Sequence, residues 1–325
     1  MTGAIARILA AGMVAMVLAV VAGPRFIGWL RKRGIGQHIR EEGPERHSAK
    51  QGTPTMGGLL IVVAAVIPYL VIGQKTVPGL VVLTLMLGSA VIGLLDDLRK
   101  VRKKRSLGLS GKTKMMLQLI LILLVGWFAI RFAGVNSDVD IPLFDAKIAF
   151  GGLYFLVVYL VIAFTSNSVN LTDGLDGLAA GAVAISLIAY TGICILRREP
   201  DLAILSASLL GACTGFLWYN SFPAQVFMGD VGSLALGAAL AGLAVVTGTE
   251  VLLLVIGGLF VIEGLSVIIQ VISFRVFKRR VFLMTPIHHH FELKNWSETK
   301  IIVRFWIIAG VFAMLGFGIY YIDSI

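Results

Sequence analysis

The sequence predicts an all-α integral membrane protein with ten transmembrane helices. Three observations carry that prediction. Of 325 residues, 58% are hydrophobic and only 14% charged, and the mean hydropathy is +0.91, values outside the range of a soluble globular domain. Apolar runs recur from end to end, many near the roughly 20 residues a helix needs to cross a bilayer. The runs are continuous rather than alternating, which ranks a β-barrel second. In lipid every backbone group must pair internally, so helices are the expected spanning element. The whole chain, 1–325, reads as a single polytopic domain.

The expected spans are 4–23, 57–73, 79–95, 113–132, 151–166, 177–196, 202–218, 232–248, 250–273 and 301–322. The first is followed, not preceded, by its basic cluster "PRFIGWLRKRG". That order reads as an uncleaved span with its N-terminus outside, not as a signal peptide. Alternation then places both termini on the periplasmic or extracellular side. The basic residues support this: loops 24–56, 96–114 and 274–300 hold 21 of the 28 Lys and Arg, and positive charge gathers in the cytoplasm. The net charge of +10 is therefore a topology signal and implies no nucleic acid. The outer segment "GVNSDVDIPLFDAKIAFGG" alternates and reads as a short hairpin. Cys194 and Cys213 lie inside apolar runs as small hydrophobes, with no disulfide framework or zinc-ligand spacing.

On this topology the polar residues gather at the cytoplasmic side. Asp96 and Asp97 close the third span, in "DDLRK". Lys100 lies four residues after the first and three after the second, within reach of either on a helix. Adjacent carboxylates ionise together only beside a cation; a membrane-surface anchor is the alternative. "NSVNLTDGLDGLAAG" places Asn170, Asp173 and Asp176 at the mouth of the sixth span. Spaced by threes, they share a face if that segment is helical, and Gly174 and Gly177 leave room for a close ligand. Asp230 opens the eighth span in "FMGDVGS". The segments about 166–177 and 219–231 contain no Lys or Arg, so their acids do not balance topogenic charge.

The inventory fits Mg²⁺, which prefers carboxylate oxygen and shares its shell with phosphates. Zinc is the minor reading, through His288, His289 and His290 in "TPIHHHFE"; adjacent histidines do not all face one metal, and hydrogen bonding to phosphate suits them better. Glu41, Glu42, Glu45, Glu292 and Glu298 sit among basic residues and read as solvated loop charges. Glu263, Ser266 and Gln270 form one stripe of the ninth span. An intramembrane Glu lines a cavity or pairs internally, and both readings stand.

Five segments in series, "SAKQGTPTMGG", "DDLRK", "NSVNLTDGLDGLA", "FMGDVGSLALG" and "TPIHHHFE", resemble the bacterial phospho-N-acetylmuramoyl-pentapeptide transferases, or lipid I synthases. These belong to the polyprenyl-phosphate N-acetylhexosamine-1-phosphate transferase superfamily. The resemblance covers essentially the whole chain and includes the ten-span layout. It implies transfer of phospho-MurNAc-pentapeptide from UDP-MurNAc-pentapeptide to undecaprenyl phosphate, giving lipid I and UMP. It further implies Mg²⁺, a homodimer, and an active site at the cytoplasmic face of the bacterial inner membrane, in contact with membrane lipid. By motif, Asp96, Asp97 and Asp230 are the core acids, with Asp230 the metal ligand, alone or with the other two. His288, His289, His290, Lys100 and Lys112 join them in catalysis. Lys50, Asn170, Asp173, Leu175, Asp176, Asn220 and Phe227 line the nucleotide side, Phe227 stacking on uracil. Thr55 and Gln270 complete the cleft. A phospho-GlcNAc transferase is the nearest alternative, and a secondary transporter the remote one; transporters place their sites near the midplane.

Overall fold

The computed structural model describes residues 2–36, 50–103, 105, 107–135, 137–144 and 146–324. Arg40, Arg46, Glu41, Glu42 and Glu45 lie outside the described residues. The chain is helical almost throughout: α1 (Thr2–Lys32), α2 (Gly58–Ile72), α3 (Val77–Lys103), α4 (Gly111–Phe132), α5 (Tyr154–Thr172), α6 (Leu178–Leu196), α7 (Pro200–Asn220), α8 (Gly229–Thr247), α9 (Glu250–Ile256), α10 (Gly258–Phe277), α11 (Ile287–Leu293) and α12 (Glu298–Asp323). Between α4 and α5 lies the expected hairpin, β1 (Asp138–Ile141) against β2 (Ala146–Ala149). It is antiparallel, with Asp138 opposite Ala149 and Asp140 opposite Lys147.

Among the described residues, nine helices are long and apolar enough to cross a membrane. The second expected span is shorter than the rest. α2 has 15 residues, about 22 Å at 1.5 Å per residue, because the start of its apolar run is used differently. Gly57 and Gly58 donate backbone hydrogen bonds to the carbonyls of Phe227 and Met228, both at 2.8 Å, and Phe227 N–H donates to Pro54 at 2.8 Å. The ninth expected span is broken into α9 and α10 at Gly257–Gly258. A glycine pair is a common site for a helix to bend sharply, and the Gly258 α-carbon lies against the Phe312 ring of α12, where a Cβ would come within 2.5 Å. α1 and α3 outrun their expected limits, so Asp96, Asp97 and Lys100 sit in the last turns of a 27-residue helix.

α8 is the axis of the bundle, buried along nearly its whole length and packed by α2, α3, α5, α6 and α9. Its small residues let neighbours approach at backbone distance, the usual basis of helix association in lipid. A Cβ on Gly58 of α2 would lie 2.2 Å from Gly232, and one on Gly93 of α3 would lie 2.2 Å from the Asp230 carbonyl. Large apolar side chains instead cover the outer faces, among them Leu9, Met13 and Val17 of α1, Leu124 and Trp127 of α4, and Ile307 and Met314 of α12. Such faces suit lipid and not water. These contacts bring the end of α3, the start of α4, the α5–α6 turn and the start of α8 together at one end of the bundle.

Candidate active site

Asp96 and Asp97 are almost wholly buried, at 1% and 2% exposure. Asp230, the second residue of α8, faces them, and the three carboxylates lie within 4.8 Å of one another. Lys100 Nζ touches all three: 2.7 Å from Asp96 Oδ2, 3.3 Å from Asp97 Oδ1 and 2.8 Å from Asp230 Oδ1. A second ammonium comes from α4, where Lys114 Nζ lies 2.5 Å from Asp230 Oδ2 and 3.4 Å from Asp96 Oδ1. Backbone completes the cradle. Leu109 N–H donates to Asp96 Oδ1 at 2.8 Å, and Val231 N–H donates to Asp97 Oδ2 at 3.1 Å. Gly229, which opens α8, has φ of +73°. A Cβ there would stand 2.6 Å from Asp97 Oδ2, so both the backbone angle and the space require glycine. Three carboxylates against two ammoniums leave a surplus of negative charge.

Lys114 is the lysine that sequence reasoning missed. The sequence singles out Lys112, which is exposed in the first turn of α4. Two residues on a helix diverge by about 200°, so only one of the two can face the acids. Nothing in the local sequence says which.

Asp173 lies beside this cluster at the end of α5. Solvent reaches part of the residue, but burial of the carboxyl, then the negative charges of Asp230 and Asp97, push its pKa up to about 8, against Lys100 and the Gly229 N–H, which lower it. α5 stops at Thr172, so Asn170, Asp173 and Asp176 do not form one helical stripe. Asn170 Nδ2 donates to Ser233 Oγ of α8 at 2.7 Å. Asp176 is turned the other way, into a second polar patch.

That patch joins four segments. Lys50 Nζ lies 2.7 Å from Asp176 Oδ1 and 2.5 Å from Glu298 Oε1. Asp176 N–H donates to the same Glu298 oxygen at 3.0 Å, and Ala224 N–H donates to Asp176 Oδ2 at 2.9 Å. Asn220 Oδ1 accepts from Gly177 N–H at 3.1 Å, and its Nδ2 donates to the Val226 carbonyl at 2.9 Å. Leu175 is buried within the turn, and Thr55 is buried beneath the segment that pairs with Phe227. Phe227 itself is half-buried; Phe222 is exposed, with Lys50 5.8 Å from its ring centre. Glu298, expected to be a solvated loop charge, is instead the shared acceptor of this patch. Glu292, expected to be likewise solvated, pairs with His289 Nδ1 at 2.5 Å.

The three histidines occupy α11 and face three ways. His288 is fully buried, with Nδ1 3.0 Å from Glu263 Oε1. His289 holds Glu292, and His290 Nδ1 accepts from Leu283 N–H at 3.1 Å. Partial burial, then Lys294, hold the His290 imidazole below its ordinary pKa. Gln270 braces the loop before α11, accepting from Val281 and Phe282 N–H at 3.0 and 2.9 Å and donating to the Phe282 carbonyl at 3.0 Å. Ser266 Oγ donates to the Glu263 carbonyl at 2.7 Å.

Residues 79–248 match the family model described as glycosyl transferase family 4. Residues 50–62 match phospho-N-acetylmuramoyl-pentapeptide-transferase signature 1. The chain is 48% identical over 314 residues to the phospho-N-acetylmuramoyl-pentapeptide-transferase of Rubrobacter xylanophilus, covering 95% of each chain. It is 47% identical over 345 residues to that of Frankia casuarinae, covering 97% of each. For that of Desulfitobacterium hafniense the identity is 45% over 323 residues, covering 95% of this chain and 96% of the relative. The chain belongs to the phospho-N-acetylmuramoyl-pentapeptide-transferase family. With nine helices among the described residues long and apolar enough to cross a membrane, and with these relatives, it is a multi-pass protein of the bacterial inner membrane. The signature segment 50–62 carries Lys50 and Thr55, and the family-4 match spans Asp96, Asp97, Asp173, Asp176 and Asp230.

Proposed function

We propose that the chain transfers phospho-MurNAc-pentapeptide from UDP-MurNAc-pentapeptide to undecaprenyl phosphate, releasing UMP and forming lipid I. The observation that carries this reading is the Asp96–Asp97–Asp230 cradle with its two lysines at one end of the bundle. One substrate is soluble and the other is dissolved in the bilayer, so a charged site at helix ends can meet both. The reading includes ten spans, α2 being the short one, with both termini outside, the cradle facing the cytoplasm, and two copies forming a homodimer.

The donor set fits Mg²⁺. All three groups are hard oxygen donors, and the ammoniums of Lys100 and Lys114 already stand among them as cations. Asp230, with Asp96 and Asp97, would hold the ion. When bound, Mg²⁺ supplies charge neutralisation at the diphosphate and eases departure of UMP. The remaining work falls to the chain. Lys100 and Lys114 place positive charge where the transferring phosphoryl group gathers negative charge. Asp97, anchored through Oδ2 by the Val231 N–H and with Oδ1 at 3.3 Å from Lys100 Nζ, accepts the acceptor phosphate's proton on Oδ1 in a single displacement. In the two-step alternative an aspartate attacks the sugar-linked phosphorus, breaking its bond to UMP, which leaves, and carries the phospho-sugar until the lipid phosphate oxygen displaces the carboxylate. Lys50, Asp176, Asn220 and Glu298 hold the nucleotide-side turn.

The test is UMP release by the purified chain with UDP-MurNAc-pentapeptide, undecaprenyl phosphate and Mg²⁺, with and without chelator. Substituting UDP-GlcNAc, or finding flux across proteoliposomes without UMP, would point to the alternatives. Exchange of labelled UMP into the nucleotide-sugar without lipid separates the two-step route from the single displacement.

A further inference from the structure

Glu263 and His288 form a buried pair that the cradle and the Lys50 patch do not use. Both are at 0% exposure. Glu263 sits within apolar α10, one residue before Gly264, where the helix lies so close to α5 that a Cβ would stand 2.3 Å from Ser168 Oγ. This packing brings Glu263 to the end of α5 and to His288 of α11. A carboxylate oxygen accepts, which puts the proton of the 3.0 Å hydrogen bond on His288 Nδ1, whereas a carboxylic acid would donate and put it on the other ring nitrogen. The other ring nitrogen, Nε2, is buried without a hydrogen-bond partner, as is Glu263 Oε2.

Nε2 points at a definite place. A Cβ on Gly174 would lie 2.4 Å from it, so the ring edge fills the space that glycine leaves in the turn carrying Asp173 and Asp176. A core histidine satisfied by a neighbouring acid would account for Nδ1. It would leave two buried polar atoms unpaired, each bearing its desolvation cost with nothing to offset it. Such groups in a native fold call for an explanation, and a role with substrate is one. A carboxylate on one ring nitrogen fixes the tautomer and aims the other nitrogen.

We propose that Glu263 is a positioning residue for the transfer reaction: it holds His288 in the Nδ1–H tautomer and presents Nε2, as an acceptor, to the Asp173–Gly177 turn and to a hydroxyl or N–H group of the nucleotide-sugar seated there. The proposal rests on the transferase reading above. In the neutral ring Nε2 accepts, which differs from the phosphate-donor role expected of the histidines from sequence.

The test uses the full chain in lipid nanodiscs. Glu263→Leu keeps an apolar side chain of similar size in α10 and should lower kcat/KM for the nucleotide-sugar by about 10–100-fold, with KM for the nucleotide-sugar raised and KM for the lipid acceptor unchanged. His288→Ala should do the same, and the double variant should be no slower than His288→Ala alone, since Glu263 acts through the ring. A double variant whose losses multiply, or a folded Glu263→Leu within twofold of the parent kcat/KM for the nucleotide-sugar, would overturn the proposal. Histidine ¹⁵N spectra, assigned by comparison with His288→Ala, give a readout independent of turnover. Protonated Nδ1 with bare Nε2 is expected; a proton on Nε2 in the unsubstituted protein overturns the assignment even if Glu263→Leu does not fold. If the parent protein releases no UMP, the transferase reading fails, while the spectra still decide the orientation of His288.

Discussion

Two buried acid sites lie at opposite ends of this bundle, and they are built to opposite rules. At the far end Asp201, in the first turn of α7, is 2% exposed. Its Oδ1 accepts from the N–H groups of Gln74 and Lys75 at 2.6 and 3.0 Å. Its Oδ2 accepts from Thr76 N–H, Thr76 Oγ1 and Tyr69 Oη at 2.8, 2.7 and 3.0 Å. One charge is thus met by five donors and a helix N-terminus, with its strength spent on fixing the α2–α3 turn. At the other end three carboxylates share two lysines and two backbone donors. A satisfied acid holds a fold together; a crowded, under-compensated set keeps affinity in reserve for something else.

The sharpest way to break this comparison is to neutralise one acid at each end. Asp97→Asn should reduce UMP release by about 10³-fold, with a melting temperature equal to or above that of the parent, because like-charge repulsion is relieved. Loss of stability with retained turnover would assign Asp97 to the fold. Asp201→Asn should do the reverse, costing about 3 kcal/mol through mismatched donors with kcat per folded molecule unchanged. A smaller effect separates the lysines of α4. Lys114→Met should lower kcat/KM by about 10²-fold, and Lys112→Met should stay within twofold; equal losses would return Lys112 to the site.

The smallest effect is on pH. The Asp173 carboxyl is raised from near 4 in the unfolded chain to about 8 in the fold. Between those values the unfolded chain gives up a proton that the folded chain keeps, so the residue's penalty on stability grows from about pH 4 to about pH 8 and is constant above. Asp173→Asn should therefore match the parent at acid pH and exceed it by a few degrees in melting temperature at pH 8. A constant difference across that range would show that the carboxyl is not perturbed.

Much of the fold was legible because apolar runs of helix length carry their own signal. The hairpin at 138–149 and the grouping of acids at one end were legible too. The interruption at Gly257–Gly258 was not, since a glycine pair inside an apolar run reads as well for close packing as for a bend. In the site, Asp96, Asp97 and Asp230 stood out as acids at helix mouths. Lys114 and Glu298 did not. Lys114 is distinguished from Lys112 only by the rotation of α4. Glu298 meets Lys50 and Asp176 across 248 and 122 residues, and its sequence neighbours give no hint of them.

The ammonium of Lys100, in reach of all three aspartates at once, acts as a tethered counter-ion. Bound through its own side chain, it is present at high local concentration whatever the medium supplies. Where α3 and α8 pack together, the three carboxylates meet with a cation already among them. The fold thus carries part of its own charge compensation, supplied by a side chain one turn away on the same helix.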